Sequence, residues 1–461
     1  MNKKKIKLAV FFVVLVFSKH MLFAQDKVQS EKIKYQVINE LLHPLIQDKT
    51  KSTTELEIVI PTTEPTNKSW AFRAWETNHS MKEALSLLEI GISYQINTFI
   101  VSGEKFQKSD KNLKENILNL IKEFKIHLII KSATFSLPLK KNDLDNLEDM
   151  ANIRGADVLI SIDNNFNLSQ EQTIQYLIKI LAPLKNKEVK IYCESFSKDD
   201  SFLQALQHIN DPRIIPVFNW TKRVWSLTAP LNPMITKYSG NSIIRMDASL
   251  ENFGKNEILA LLQDYIGYRQ TQCDEASKDI QGFVMDFGSG MTSFGTLNAV
   301  NIYTMAELLL NREKDLDIIN NNWFTSQYGH KEGQEILNIT FASTNIIRLA
   351  LYANNSGELE FTKSLTPVPL IQLLGSATLD SWCKIKKVKS YKNCALYKEK
   401  LQSKETIELL EKKYKGFISS KKISDSAVTL DQILKTKEMV SMMIDYTAVF
   451  LQTQMEPLEL S

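Results

Sequence analysis

The stretch IIRMDASLENFG, residues 243–254, ends an apolar run in two carboxylates four residues apart, Asp247 and Glu251. Apolar, β-branched runs that end in acids recur along the chain: DVLISID reaches Asp163, VKIYCES reaches Glu194 and GFVMDFGS reaches Asp286. Several carboxylates around one pocket suit hydrolysis of a glycosidic bond. That reaction needs one carboxyl group protonated to help the leaving group and another ionised as base or nucleophile. Different surroundings must hold the two apart in acidity. Aromatic residues stand on neighbouring connections: Trp75 near Arg73, and Trp220 and Trp225 on either side of Lys222. Aromatic faces stack on the apolar faces of sugar rings, while acids and amides take the hydroxyls. The candidate catalytic residues are therefore Glu251, Asp163 and Asp286. The candidate substrate-binding residues are Arg73, Trp75, Glu194, Trp220, Lys222, Trp225 and Asp247. Arg73 would suit an acidic sugar, because a guanidinium takes a carboxylate through two parallel hydrogen bonds.

These residues need a frame that brings strand ends together. Eight short apolar runs recur, at 55–61, 98–103, 127–132, 157–163, 189–195, 213–219, 242–249 and 282–289. Segments of helical period separate most of them, such as MKEALSLLEIGI and NLKENILNLIKEF. Near-continuous apolar strands are buried on both faces, as a parallel sheet requires. Eight strands alternating with helices make a (β/α)8 barrel, whose site lies at the carboxyl ends of the strands. An open doubly wound sheet competes, but no glycine-rich phosphate loop follows any of the runs. After residue 296 the pattern is wholly helical. The expected organisation is a signal peptide (1–24), a lead-in (25–54), the barrel (55–330) and an α-helical C-terminal domain (331–461).

Composition narrows the function classes. A net charge of +3 from 56 basic and 53 acidic residues gives no nucleic-acid footprint. The N-terminus reads as a secretory signal: a basic MNKKKIK, an apolar LAVFFVVLVF and a cleavage site after Ala24. That apolar run is shorter than the roughly 20 residues of a bilayer span, so a periplasmic or secreted protein with no membrane span is expected. The six histidines and four cysteines show no metal-ligand or redox spacing, and neither a metal nor a cofactor is expected. Cys383 and Cys394 could bridge in an oxidising compartment.

Three segments carry a family resemblance. NPMITKYSGNSIIRMDASLENFG (232–254), TLNAVNIYTMAELLLNREKDLDIINNNWFTSQYG (296–329) and AFRAWE (71–76) resemble segments of family 67-type α-glucuronidases and related glycoside hydrolase-like barrels. The resemblance implies a barrel with inverting chemistry, and a general-base role for Glu251. It also implies a second carboxylate where this chain has Val224, and an acid near Asn165, where Asp163 alone can supply a proton. The departures leave three readings open. One is a glycoside hydrolase with a rearranged acid–base pair, acting on a carbohydrate that could include uronic acid. The others are a non-catalytic carbohydrate-binding barrel and a sugar-acid lyase.

Overall fold

The computed structural model describes residues 58–162, 168–195, 201–220, 231–248, 258–287, 294–353, 368–369, 390–421 and 426–455. Eight parallel strands close into a barrel in sequence order: β1 (Phe72–Thr77), β2 (Thr98–Ser102), β3 (His127–Phe135) and β4 (Ala156–Ile162), then β5 (Ile191–Ser195), β6 (Ile214–Asn219), β7 (Ser242–Asp247) and β8 (Ile280–Asp286). The connecting helices are α1 (Met81–Ser93), α2 (Gly103–Lys108), α3 (Lys111–Glu123), α4 (Lys141–Ala151), α5 (Gln170–Leu181), α6 (Ser201–Ile209), α7 (Pro233–Lys237) and α8 (Gln263–Ala276). After β8 come α9 (Ala299–Leu310), α10 (Leu316–Tyr328), α11 (His330–Thr340) and α12 (Ser343–Leu351). The helices α13 (Ala395–Lys421) and α14 (Ser426–Met455) follow and pack on one another. This is the expected (β/α)8 barrel followed by helices.

Local chemistry sets the helix starts. Ser80 and Ser169 each accept from the backbone N–H three residues on, while Glu83 and Gln172 return a bond to the cap. Such reciprocal caps satisfy two otherwise orphaned donors at a helix start. Asp110 caps α3 in the same way on one side.

The first strand is not where the apolar run ELEIVIP, residues 55–61, suggested. Residues 58–61 form no strand, and β1 is FRAWET, paired with β2 on one side and β8 on the other. The closure between β8 and β1 is tight. A Cβ on Gly282, whose φ is +152°, would sit 1.8 Å from the Phe72 carbonyl oxygen, so only glycine fits there.

The barrel interior is layered. Ala74, Ile100, Ile129, Leu159, Tyr192, Val217, Ile243 and Val284, one from each strand, form a closed apolar cluster, with Phe72 and Ile215 packed against it. The larger core lies outside, between the sheet and the helices.

Candidate active site at the carboxyl ends of the strands

Side chains alternate along a strand, so the residue two after each member of the inner apolar cluster also faces the barrel axis. In strand order those residues are Glu76, Ser102, Lys131, Ser161, Glu194, Asn219, Arg245 and Asp286. All eight are polar. The barrel therefore changes from an apolar plug to a polar floor at one level, toward the carboxyl ends of the strands.

The four odd strands supply charges of alternating sign: Glu76, Lys131, Glu194 and Arg245. Alternate strands fill one layer of such a barrel, and here that layer closes into a ring. Lys131 Nζ lies 2.7 Å from Glu76 Oε1 and 2.8 Å from Glu194 Oε1. Arg245 completes it, with Nη2 2.7 Å from Glu76 Oε1 and Nη1 donating to Glu194 Oε2. The Ser161 hydroxyl also donates to Glu194.

Burial makes this arrangement necessary. Glu76 is fully buried, and Glu194, Lys131 and Arg245 are each less than 9% exposed. A buried charge without partners is costly, whereas two cations interleaved with two anions leave the ring neutral. Burial draws the Lys131 ammonium below its ordinary range, against the pull of Glu76 and Asp286. Burial also acts to lower Arg245, but Glu76 and Asp286 outweigh it and hold the guanidinium above its ordinary range.

Asp286 is the fifth charge. Its Oδ2 accepts from Arg245 Nη2 at 2.6 Å, and its side chain keeps 24% exposure. Each of the ring's glutamates is engaged by both cations, Glu194 through both its oxygens and Glu76 through Oε1, while Glu76 Oε2 is buried without a hydrogen-bond partner. Asp286 meets Arg245 through Oδ2 and keeps the most exposure of the three carboxylates in this cluster, although its Oδ1 atom is itself buried. With it the five groups carry one net negative charge.

The structure sorts the sequence-predicted residues. Asp286 and Glu194 come together in the cluster. Asp247 ends β7 beside Asp286 in register. Asp163, Lys222, Trp225 and Glu251 lie outside the described residues, as do Val224, Asn165 and Cys383. Three expected sugar contacts are corrected. Trp75 is 1% exposed and points outward from β1, packed 4.7 Å from Phe287 and 5.2 Å from Tyr94. Trp220, 4% exposed, packs edge-on against Tyr265 at 5.6 Å. Arg73 is the second residue of β1, at the opposite end of the barrel, where it donates to the Trp70 and Gln95 carbonyls. The physical reason is common to Arg73 and Trp75: both occupy outward positions of a strand that was read as a loop. Glu104, the residue after the apolar run 98–103, lies in α2 on the surface and pairs with Lys108 at 2.7 Å. Glu76 and Arg245 went unrecognised from sequence. Their signal is the spacing itself, a polar residue two positions after an inward apolar one in every strand.

Among the described residues no three His, Cys, Asp or Glu side chains converge to hold a metal ion, and no helix is long and apolar enough to cross a membrane.

Neither a comparison with protein-family models nor one with curated proteins found a match. Among solved structures the chain is similar to a family GH115 4-O-methyl-alpha-glucuronidase with specificity for decorated arabinogalactans, at 10% identity and a TM-score of 0.51. That alignment covers 86% of this chain and 57% of the other, so the chain spans little more than half of that protein's length. It is also similar to a xylose isomerase-like TIM barrel/4-hydroxyphenylpyruvate dioxygenase fusion protein, at 10% identity and a TM-score of 0.37, covering 62% and 52%. An N-acetylneuraminate lyase from Fusobacterium nucleatum matches at 11% identity and a TM-score of 0.33, covering 76% and 99%. At these identities the likeness is one of fold. The family 67 expectation is thereby reduced to a coarser one, a (β/α)8 barrel shared in fold with a glycoside hydrolase.

Proposed function

We propose that this chain is a glycoside hydrolase-like barrel that binds a carbohydrate at the carboxyl ends of its strands and acts on it through paired carboxylates. One observation carries the reading: a polar floor of eight residues, built on a neutral ring of four buried charges, with Asp286 its most exposed carboxylate among the described residues. Ser102 and Asn219 add small polar groups at the same level, as a site for hydroxyl-rich ligands requires.

The ring supports a role for Asp286. A guanidinium at 2.6 Å favours the ionised carboxylate, so Asp286 acts as base or nucleophile and not as the proton donor. The donor role then falls to Glu251 or Asp163, on the connections that follow β7 and β4. The likeness in fold to a glycoside hydrolase supports the same class. The basic and apolar stretch of residues 1–24, read as a signal peptide, supports export and with it a substrate outside the cytoplasm.

Recognition of a uronic acid has less support. Arg73 stands at the far end of the barrel, and Lys131 and Arg245 are both committed to carboxylates. The test is release of sugar from a panel of neutral and uronic-acid polysaccharides by residues 25–461, beside Glu251→Gln. Loss of release in the variant with retained binding supports the reading. A wild-type chain that binds no glycan overturns it.

A further inference from the structure

The two cations of the ring differ in chemistry. Arg245 touches three carboxylates, Glu76, Glu194 and Asp286, and a guanidinium keeps its proton under ordinary conditions. Lys131 carries an amine, which becomes a nucleophile once its proton leaves. A barrel that needed only a counter-charge here is better served by a second guanidinium, whose planar fork matches carboxylates and is more weakly hydrated. Two surroundings that activate a lysine meet at this place, burial and a neighbouring cation. The Lys131 side chain is 9% exposed, and its Nζ and Arg245 Nη2 each lie 2.7 Å from the same oxygen, Glu76 Oε1. Burial is the largest influence on the ammonium and the Arg245 charge acts with it, so Lys131 stays below its ordinary range although Glu76 and Asp286 pull the other way. A second observation points to a ligand. Glu76 Oε2 is buried and has no hydrogen-bond partner among the described residues. An orphaned buried acceptor is costly and calls for a donor from outside the chain. A hydroxyl on a carbon bonded to Nζ supplies one, because Nζ already touches the other oxygen of the same carboxylate.

We propose that Lys131 forms a protonated imine with the carbonyl carbon of a small aldehyde or ketone at the floor of the barrel. Imine formation rests on the ring alone and stands whether or not the mouth hydrolyses glycosides. Lys131 first gives a proton to Glu76 or Glu194, whose oxygens lie 2.7 and 2.8 Å away. The freed lone pair forms the N–C bond while the carbonyl π pair moves onto oxygen, which takes that proton and becomes a hydroxyl. The nitrogen then passes a second proton through the same carboxylate to this hydroxyl. The hydroxyl leaves as water while the nitrogen lone pair forms the C=N bond. Ammonium and carbonyl thus become iminium and water, with no oxidant or reductant, and the glutamate returns to its starting state. The product keeps its positive charge on nitrogen, so the ring stays neutral, as its burial requires.

The test treats the full chain with sodium borohydride in the presence of pyruvate, a 2-oxo acid, or of glyceraldehyde, an open-chain sugar. Hydride reduces an imine to a stable secondary amine, which peptide mapping by mass spectrometry then locates. The expected result is one adduct per chain on the peptide that carries Lys131, formed ahead of any adduct on surface lysines. That adduct is lost in Lys131→Arg, which keeps the charge. Labelling by pyruvate alone assigns 2-oxo acids, labelling by glyceraldehyde alone assigns reducing sugars, and labelling by both supports the shared carbonyl chemistry. A folded wild-type chain whose Lys131 is left unlabelled by both probes, or is labelled no faster than the surface lysines, overturns the proposal. This readout needs no variant to fold. Sugar release from polysaccharides by the same preparation separates the two readings. An adduct without release removes hydrolysis and keeps the imine, and release without an adduct does the reverse.

Discussion

Arg245→Met removes the guanidinium that closes the ring and contacts three carboxylates, Glu76, Glu194 and Asp286. Methionine fills a similar volume, so the effect is one of charge. Wild type sets two cations against three carboxylates; the variant sets Lys131 alone against the same three. Removing one partner of a buried ion pair costs about 3–5 kcal/mol, and the ring's burial places this site in that range. Glu76→Gln behaves differently, because it leaves two cations against two carboxylates. Its expected cost is about 1–3 kcal/mol, that of a lost charge-assisted bond. The double variant restores the wild-type net charge. It should therefore be more stable than the sum of the single changes predicts, by about 1–3 kcal/mol. Guanidinium denaturation of the four proteins gives the cycle. Acidification should narrow the gap between Arg245→Met and wild type, since proton uptake relieves a site left with excess negative charge. The variant's folded state then binds more protons than its unfolded state, so its stability rises as pH falls. Additive single changes and a pH-independent gap would refute the ring as an energetic unit.

Two further perturbations test the frame around the site. Burial pushes the Glu307 carboxyl up, but hydrogen bonds from Lys314, Thr63 and Tyr303 outweigh it and hold it below the usual carboxylate range. Its folded value is thus depressed, so its contribution is present above pH about 4.3 and is lost as pH falls through the folded value. Glu307→Gln should cost about 1–3 kcal/mol at pH 7, and denaturation at pH 3 should show the difference shrinking. Trp75→Ala should cost about 3–5 kcal/mol by leaving a cavity, while Trp75→Phe should leave glycan affinity within twofold by calorimetry. A large loss of affinity in Trp75→Phe at unchanged stability would return Trp75 to the cleft.

The barrel was legible because seven of its strands are rich in Val, Ile and Leu, and their period stands out against the amphipathic helices. β1 was not. Its inward residues are Phe72, Ala74 and Glu76 and its outward ones Arg73, Trp75 and Thr77, so FRAWET holds no Val, Ile or Leu and two charged residues interrupt it. ELEIVIP is the β-branched, apolar run that reads as a strand, yet residues 58–61 are not in the sheet. That exchange carried Arg73 and Trp75 to the wrong end and the wrong face. The site was half legible: Asp286, Glu194 and Lys131 stand at apparent strand ends, where composition draws the eye. Glu76 and Arg245 sit within strands and looked like interruptions of an apolar run. Only the closed barrel, which brings β1, β3, β5 and β7 to one level, shows that their charges answer one another.

The central claim is that Asp286, the most exposed carboxylate of the cluster, acts in a carbohydrate-cleaving site. The direct measurement is sugar release from the polysaccharide panel by residues 25–461 and by Asp286→Asn, whose amide oxygen can still accept from Arg245. The account predicts release by the wild type and a loss of about a thousandfold or more in kcat for the variant, with glycan affinity retained. Release by Asp286→Asn at the wild-type rate would contradict it.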